Sequence, residues 1–302
     1  MRAHDRLTRD RPTGDTGPGA PAGGAPVRLG WLGALPLLAL AIHVAVVAAL
    51  GPTDQVWWSL QVGWQVIGAA GCMAAALAFR PGDLLWKAWA CTGGSLALPT
   101  LVRFMNGPAR SWNLVPALSD PWVRLGTLVA INAFSVAGAV LFLAAFRRTA
   151  TGLGLTDRRS VRTSAATVIG ALVIGIPVLA LDLRDALGGG LSSDALAAAV
   201  SVTGDMICFS AVGPLALVAR GLVGGALQRT WTLLAVYNLG WLFYDLITTT
   251  ARITGHVDGG TLVAEAVLCV ACVVVGSAGF AQRIALRDVS RRAAERASSL
   301  AA

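Results

Sequence analysis

The chain has 302 residues, 55% hydrophobic and only 13% charged, with a net charge of +8 and a mean hydropathy of +0.67. A soluble domain carries about one quarter charged residues, so this composition suits lipid rather than water as the solvent. The basic residues sit in short segments between apolar stretches and form no groove-like cluster, which argues against nucleic acid and for a basic membrane rim.

In chain order, residues 1–28 are rich in Arg, Asp, Gly and Pro and lack an apolar run. They read as a disordered basic cytoplasmic tail, not as a secretory signal. Eight apolar segments follow, at 29–50, 58–79, 84–105, 124–146, 163–182, 195–219, 230–251 and 261–282. Each is near the roughly 20 residues needed to cross a hydrocarbon core of about 30 Å. Residues 283–302 read as a second basic cytoplasmic tail. With both termini inside, 19 of the 24 Lys and Arg residues flank the spans on the cytoplasmic side, while Arg103, Arg110, Arg124, Arg184 and Arg252 lie outside. That asymmetry sets the orientation. The expectation is an all-α, multi-pass plasma-membrane protein with about eight transmembrane helices in one domain, 29–282.

An internal repeat runs through these spans. Leu35-Pro36-Leu37-Leu38-Ala39-Leu40 recurs as Ile176-Pro177-Val178-Leu179-Ala180-Leu181, and Gly63 to Arg103 parallels Gly204 to Asp245, with Gly82 matching Gly224 and Trp89 matching Trp231. Four spans per half is an even number, so the halves, about 29–148 and 163–283, insert in the same direction as a parallel 4+4 repeat. Sites often form where such halves meet.

Ionisable side chains inside a span are expensive and therefore mark candidate sites. Asp205 lies mid-way along the sixth span, Asp245 in the outer third of the seventh, and Glu265 near the outer end of the eighth. His43 lies in the outer half of the first span and reads as a packing histidine; Arg103 closes the third. The seventh span carries Asn238, Trp241, Tyr244 and Asp245 at spacings of three and four, which puts an amide, two aromatic rings and a carboxyl group on one face. Tyr237 joins them, and Trp64 faces them from the first half. Trp57, Trp58, Trp112 and Trp122 fall at outer span ends, as an interfacial belt does. All five cysteines lie in apolar stretches; Cys269-x-x-Cys272 has no second ligand pair and reads as packing. No phosphate loop, haem-type His pair or metal-binding acidic cluster is present, so neither a cofactor nor a metal is expected.

A carboxyl group held out of water favours its neutral, proton-donating form, and aromatic faces stabilise a developing cation. That pairing fits acid-initiated cyclisation of a polyene, and it equally fits a proton-coupled transporter. The stretch from Gly204 to Ile247, with its Gly-containing helix, basic turn from Arg220 to Arg229 and following Asn238-Leu239-Gly240-Trp241, resembles the small integral-membrane terpene cyclases of fungal meroterpenoid and indole-diterpene pathways and their actinobacterial relatives. The resemblance implies a metal-independent cyclase with intramembrane acids, here Asp205, Asp245 and Glu265, as proton donors. It implies a lipid-soluble prenylated substrate, membrane lipid and pathway enzymes as partners. The chain departs from that family at Leu242, where the family has a Glu after the Trp, and in its extra first span. The stretch also resembles multi-spanning sensor modules, which leaves a ligand-sensing or partner-binding role without catalysis as an alternative.

Overall fold

The computed structural model describes residues 30–106, 120–152, 158–188, 192–219 and 226–301. The tail before them, Arg110, Trp112 and the turn at 220–225 lie outside the described residues. The described residues form eight α-helices and no strand: α1 (Gly30–Leu50), α2 (Asp54–Ala76), α3 (Leu84–Asn106), α4 (Pro121–Gly152), α5 (Arg158–Gly188), α6 (Ser193–Ala219), α7 (Ala226–Thr254) and α8 (Val257–Ala301). Five of them, α1, α4, α5, α6 and α8, are long and apolar enough to cross a membrane. The other three, α2, α3 and α7, carry many of the amide, hydroxyl and charged side chains that the bundle buries, which dilutes their apolar character. Large apolar side chains such as Leu37, Val173 and Ile176 are exposed on the outside, the distribution a lipid-facing surface has.

Local chemistry explains several boundaries. Thr53 caps α2, its hydroxyl accepting from the Val56 N–H, and Asp54 stands at the positive end of the helix dipole. This is why α2 starts four residues before the predicted span. The Asp120 carboxylate accepts from the N–H groups of Trp122 (2.8 Å) and Val123 (3.1 Å), which starts α4 at Pro121. Gly51 (φ 78°) and Gly255 (φ 74°) turn the chain after α1 and α7 through the left-handed region, where a Cβ is penalised. The predicted tail 283–302 is helical through Ala301 and continues α8 without a break, so α8 is 45 residues long.

Six helices close a ring in the order α2, α3, α4, α6, α7, α8, each packing on the next and α8 returning to α2. Exchanging α2, α3 and α4 with α6, α7 and α8 leaves this neighbour order unchanged. The outer helices do not follow that exchange: α1 packs mainly on α8, whereas α5 packs on α6 and α7. Contacts between Leu32 and Ala281, and between Ala39 and the Cys269–Val273 stretch, show that α1 and α8 run antiparallel, so α1 begins beside the middle of α8.

At the seam between α2 and α8, backbone meets backbone. A Cβ on Gly71 would lie 2.3 Å from the Gly276 carbonyl oxygen, and one on Gly279 would lie 2.1 Å from that of Gly71. The two backbones touch, which only small residues permit. Gly68 faces the Cys272 carbonyl at 2.9 Å on the same measure, so the two helices run parallel through this seam. Cys72, Cys269 and Cys272 are buried free thiols in and beside it, in keeping with packing.

Candidate functional site

The interior of the ring divides into two halves. Toward the end where α1 begins it is apolar and aromatic. Trp89 of α3 and Trp231 of α7, the pair matched in the repeat, come from opposite sides of the ring. They meet Phe142 of α4 edge-on at 5.0 and 5.6 Å, and Phe146 adds a further edge contact to Trp231 at 5.9 Å. Trp89, Phe142 and Trp231 are buried, so these rings plug that end.

The opposite half holds the buried acidic groups. Asp182 of α5 is completely buried and forms an ion pair with Arg252 of α7, whose side chain is 42% exposed. The Thr249 hydroxyl also donates to Asp182 (3.2 Å). One turn deeper, the Ser201 hydroxyl donates to Asp245 (3.2 Å), and the Asp245 carboxyl lies within hydrogen-bonding reach of Asp205 on α6. Two ionised carboxylates are acceptors only, so a hydrogen bond between them would need a shared proton. Both aspartates are buried, and one oxygen of each has no further partner.

Two cavities flank this pair. The first, about 290 Å³, lies among Ser201, Asp245, Thr248, Thr249, Asp182 and Arg252 and reaches the surface beside the half-exposed Arg252. The second, about 10 Å³, lies on the other side of Asp205 among Thr92, Ser135, Asn238 and Trp241. It has room for about one water molecule. The carboxyl pair thus stands between an open pocket, on the side of Asp245, and a small chamber, on the side of Asp205.

The residues expected from the sequence fall into two groups. Asp205, Asn238, Tyr237 and Trp241 are brought together around the small chamber, with Tyr237 and Trp241 edge-on at 6.3 Å, and Asp245 stands beside Asp205 in the wall of the larger pocket. Trp241 extends this set to Tyr244 at 5.6 Å. The Asn238 side chain donates to the Leu234 carbonyl (2.7 Å), so half of its amide is spent within its own helix. Glu265 stands apart, beside Gln61 of α2 and in electrostatic range of Arg103. Trp64 packs against the core and donates its indole N–H to Nδ1 of His43 (3.2 Å), which gives that histidine a partner. Arg103 and Asp245, which hold matching positions in the repeat, do not pair: Asp245 bonds Ser201 and faces Asp205. Trp122 is 62% exposed at the start of α4, as a belt residue is.

Asp182, Ser201, Thr248 and Thr249 were not expected. Their signal lies in helical spacing. Ser201 precedes Asp205 by four, and Asp245, Thr248, Thr249 and Arg252 continue the face of α7 that begins at Asn238. Asp182, at the end of an apolar stretch, reads as a helix-end charge until α5 is seen to continue to Gly188.

The chain matches no protein-family model, no curated protein and no solved structure. Among the described residues no cluster of three metal-ligating side chains occurs. What the site does must therefore come from its own chemistry. With Asp182 paired to Arg252, the Asp205–Asp245 pair is the acidic group left beside the pocket, near the hydroxyl groups of Ser201, Thr248 and Thr249.

Proposed function

We propose that the protein is a multi-pass membrane protein in which all eight helices cross the bilayer, with both termini on the cytoplasmic side, and that it exchanges protons for a small organic cation. The orientation rests on the basic flanks: 19 of 24 Lys and Arg residues fall on the side assigned to the cytoplasm. The observation that carries the functional reading is the buried pair Asp205–Asp245, set between an open pocket on the side of Asp245 and a small chamber on the side of Asp205. A monovalent amine entering the pocket supplies the positive charge that the proton supplies in its absence, so each displaces the other. The ring of two matched halves is the kind of frame that rocks between two open states.

The test is transport. In proteoliposomes with a pH-sensitive dye inside, addition of small primary and secondary amines is expected to drive proton movement. Asp205→Asn and Asp245→Asn are expected to abolish it, and proton movement undiminished in both variants would refute the reading. Reporter tags on the two termini, both reached only from the cytoplasmic side, check the topology.

The rings of Tyr237, Trp241 and Tyr244 beside the same acid pair favour one second reading, the metal-independent terpene cyclase suggested by the Gly204 to Ile247 stretch. There the shared proton would start the reaction, and membranes given prenylated substrates would yield cyclised products. Absence of such products, with proton exchange present, decides for transport.

A further inference from the structure

A crevice outside the ring takes no part in the aspartate site. Helices α1 and α7 both pack on α8, and they make no extended contact with each other. α1 runs antiparallel to α8, from the contact of Leu32 with Ala281 to that of Ala39 with the Cys269–Val273 stretch. α7 also runs antiparallel to α8, since a Cβ on Gly240 would meet Ala271 and one on Gly260 would meet Ala251. α1 and α7 are therefore parallel and begin at the same end of the bundle, with Ala281 of α8 between them.

A small residue between two helices that do not close on each other leaves a gap. Its volume is about 390 Å³, within the roughly 300–1,000 Å³ of ordinary ligand sites. Leu32 and Gly33 form one wall and Thr232 and Leu233 the other, while Gln228 and Arg229 stand one turn nearer the start of α7. The Thr232 hydroxyl already donates to the Gln228 carbonyl (2.9 Å), so the donors offered to a ligand are the exposed Arg229 guanidinium and the half-buried Gln228 amide.

The crevice is thus cationic at its mouth and apolar one turn deeper, which is the outline of an amphiphile with an anionic head. A soluble phosphate compound would use the mouth alone and leave Leu32 and Leu233 uncovered. The surroundings suit lipid as well. Trp31, beside Leu32, is 54% exposed, and an exposed indole at the start of a span is a common interfacial anchor. On the orientation proposed above, this end meets the cytoplasmic leaflet, whose anionic lipids settle in basic pockets between helix ends.

We propose that this crevice holds one anionic phospholipid, its phosphate on Arg229 and Gln228 and the start of an acyl chain between Leu32 and Leu233, so that the lipid bridges α1 to α7. The inference rests on the cytoplasmic placing of this end, and not on what Asp205 and Asp245 do.

The full chain purified in detergent is given phosphatidylglycerol, or phosphatidylcholine with the same acyl chains, and native mass spectrometry and thermal unfolding are the readouts. One phosphatidylglycerol is expected to stay bound and to raise the melting temperature, and phosphatidylcholine to do neither. Arg229→Gln is expected to weaken retention about fivefold, the worth of one cation at an anionic surface. Arg287→Gln removes an exposed cation farther along α8 and is expected to change nothing, which separates a site from general attraction. Gly33→Leu is expected to block retention; a Cβ on Gly33 meets nothing within 4 Å, so the lipid-free variant should unfold near the wild-type temperature. Equal retention of the two lipids, equal effects of the two arginine variants, full retention in Gly33→Leu, or stabilisation by inorganic phosphate as large as that by phosphatidylglycerol would overturn the proposal. The reporter tags on the termini decide the orientation separately, so a wrong orientation and an empty crevice give different results.

Discussion

Replacing Gly71 by alanine adds one methyl group at the point where α2 and α8 touch. That methyl carbon would lie 2.3 Å from the Gly276 carbonyl oxygen and 2.4 Å from its Cα, where ordinary contact begins at 3.4 Å. Neither neighbour is a movable side chain, so the helices must part locally by about 1 Å. A gap of that size forfeits about a quarter to a half of the dispersion attraction across the seam. Overpacking of this kind costs about 1–3 kcal/mol, offset in part by the roughly 1 kcal/mol by which a helix favours alanine over glycine. The expected net loss is therefore up to about 2 kcal/mol against the wild type, and about 1–3 kcal/mol against a glycine-to-alanine change that meets nothing. Gly63→Ala is the matched control: it is the same change on the same helix, but nothing lies within 4 Å of the added atom. Thermal unfolding of the purified protein in one detergent should rank Gly63→Ala at or above the wild type and Gly71→Ala below it. If Gly71→Ala proves as stable as Gly63→Ala, the backbone seam between α2 and α8 is not there.

Three further outcomes are expected. Trp231→Ala empties the centre of the aromatic plug and should cost about 3–5 kcal/mol in unfolding experiments, whereas Trp31→Ala, at a side chain 54% exposed, should cost little. Arg252→Ala should destabilise more than Asp182→Ala, because the buried carboxylate of Asp182 is left without its counter-charge, on the order of 3 kcal/mol, while the Arg252 side chain is 42% exposed and keeps its access to water; the reverse order would refute the ion pair as drawn. Asp205→Asn should leave the melting temperature close to wild type while stopping proton exchange, since an amide facing Asp245 supplies the donor that the shared proton supplied; a collapse of stability instead would mean that both carboxyl groups are needed charged.

The helices were legible because crossing a bilayer demands long apolar runs, and those runs dominate this sequence. Their ends were less so. The early start of α2 rests on the Thr53 cap, and the length of α8 rests on a run of Ala and Arg that favours helix in water as well as in lipid. For the site, an acid inside an apolar run is conspicuous, which is why Asp205, Asp245 and Glu265 stood out. Which acid faces which is set by the order of helices around the ring, and a linear pattern does not carry that. Asp245 matches Arg103 in the repeat, yet meets Asp205 because α7 packs on α6 and lies across the ring from α3. Asp182 was passed over because its partner, Arg252, is 70 residues away on a helix that α5 touches only by leaving the place the repeat gives it.

The 45 residues of α8 make a single rod about 68 Å long, more than twice the thickness of a hydrocarbon core. Its middle stretch is fused to α2 through glycine backbone contacts, and its last dozen residues, 289–300, are exposed and stand clear of the ring. Such a rod works as a lever. Over that length a tilt of about 5° sweeps the free end through several ångströms relative to the ring.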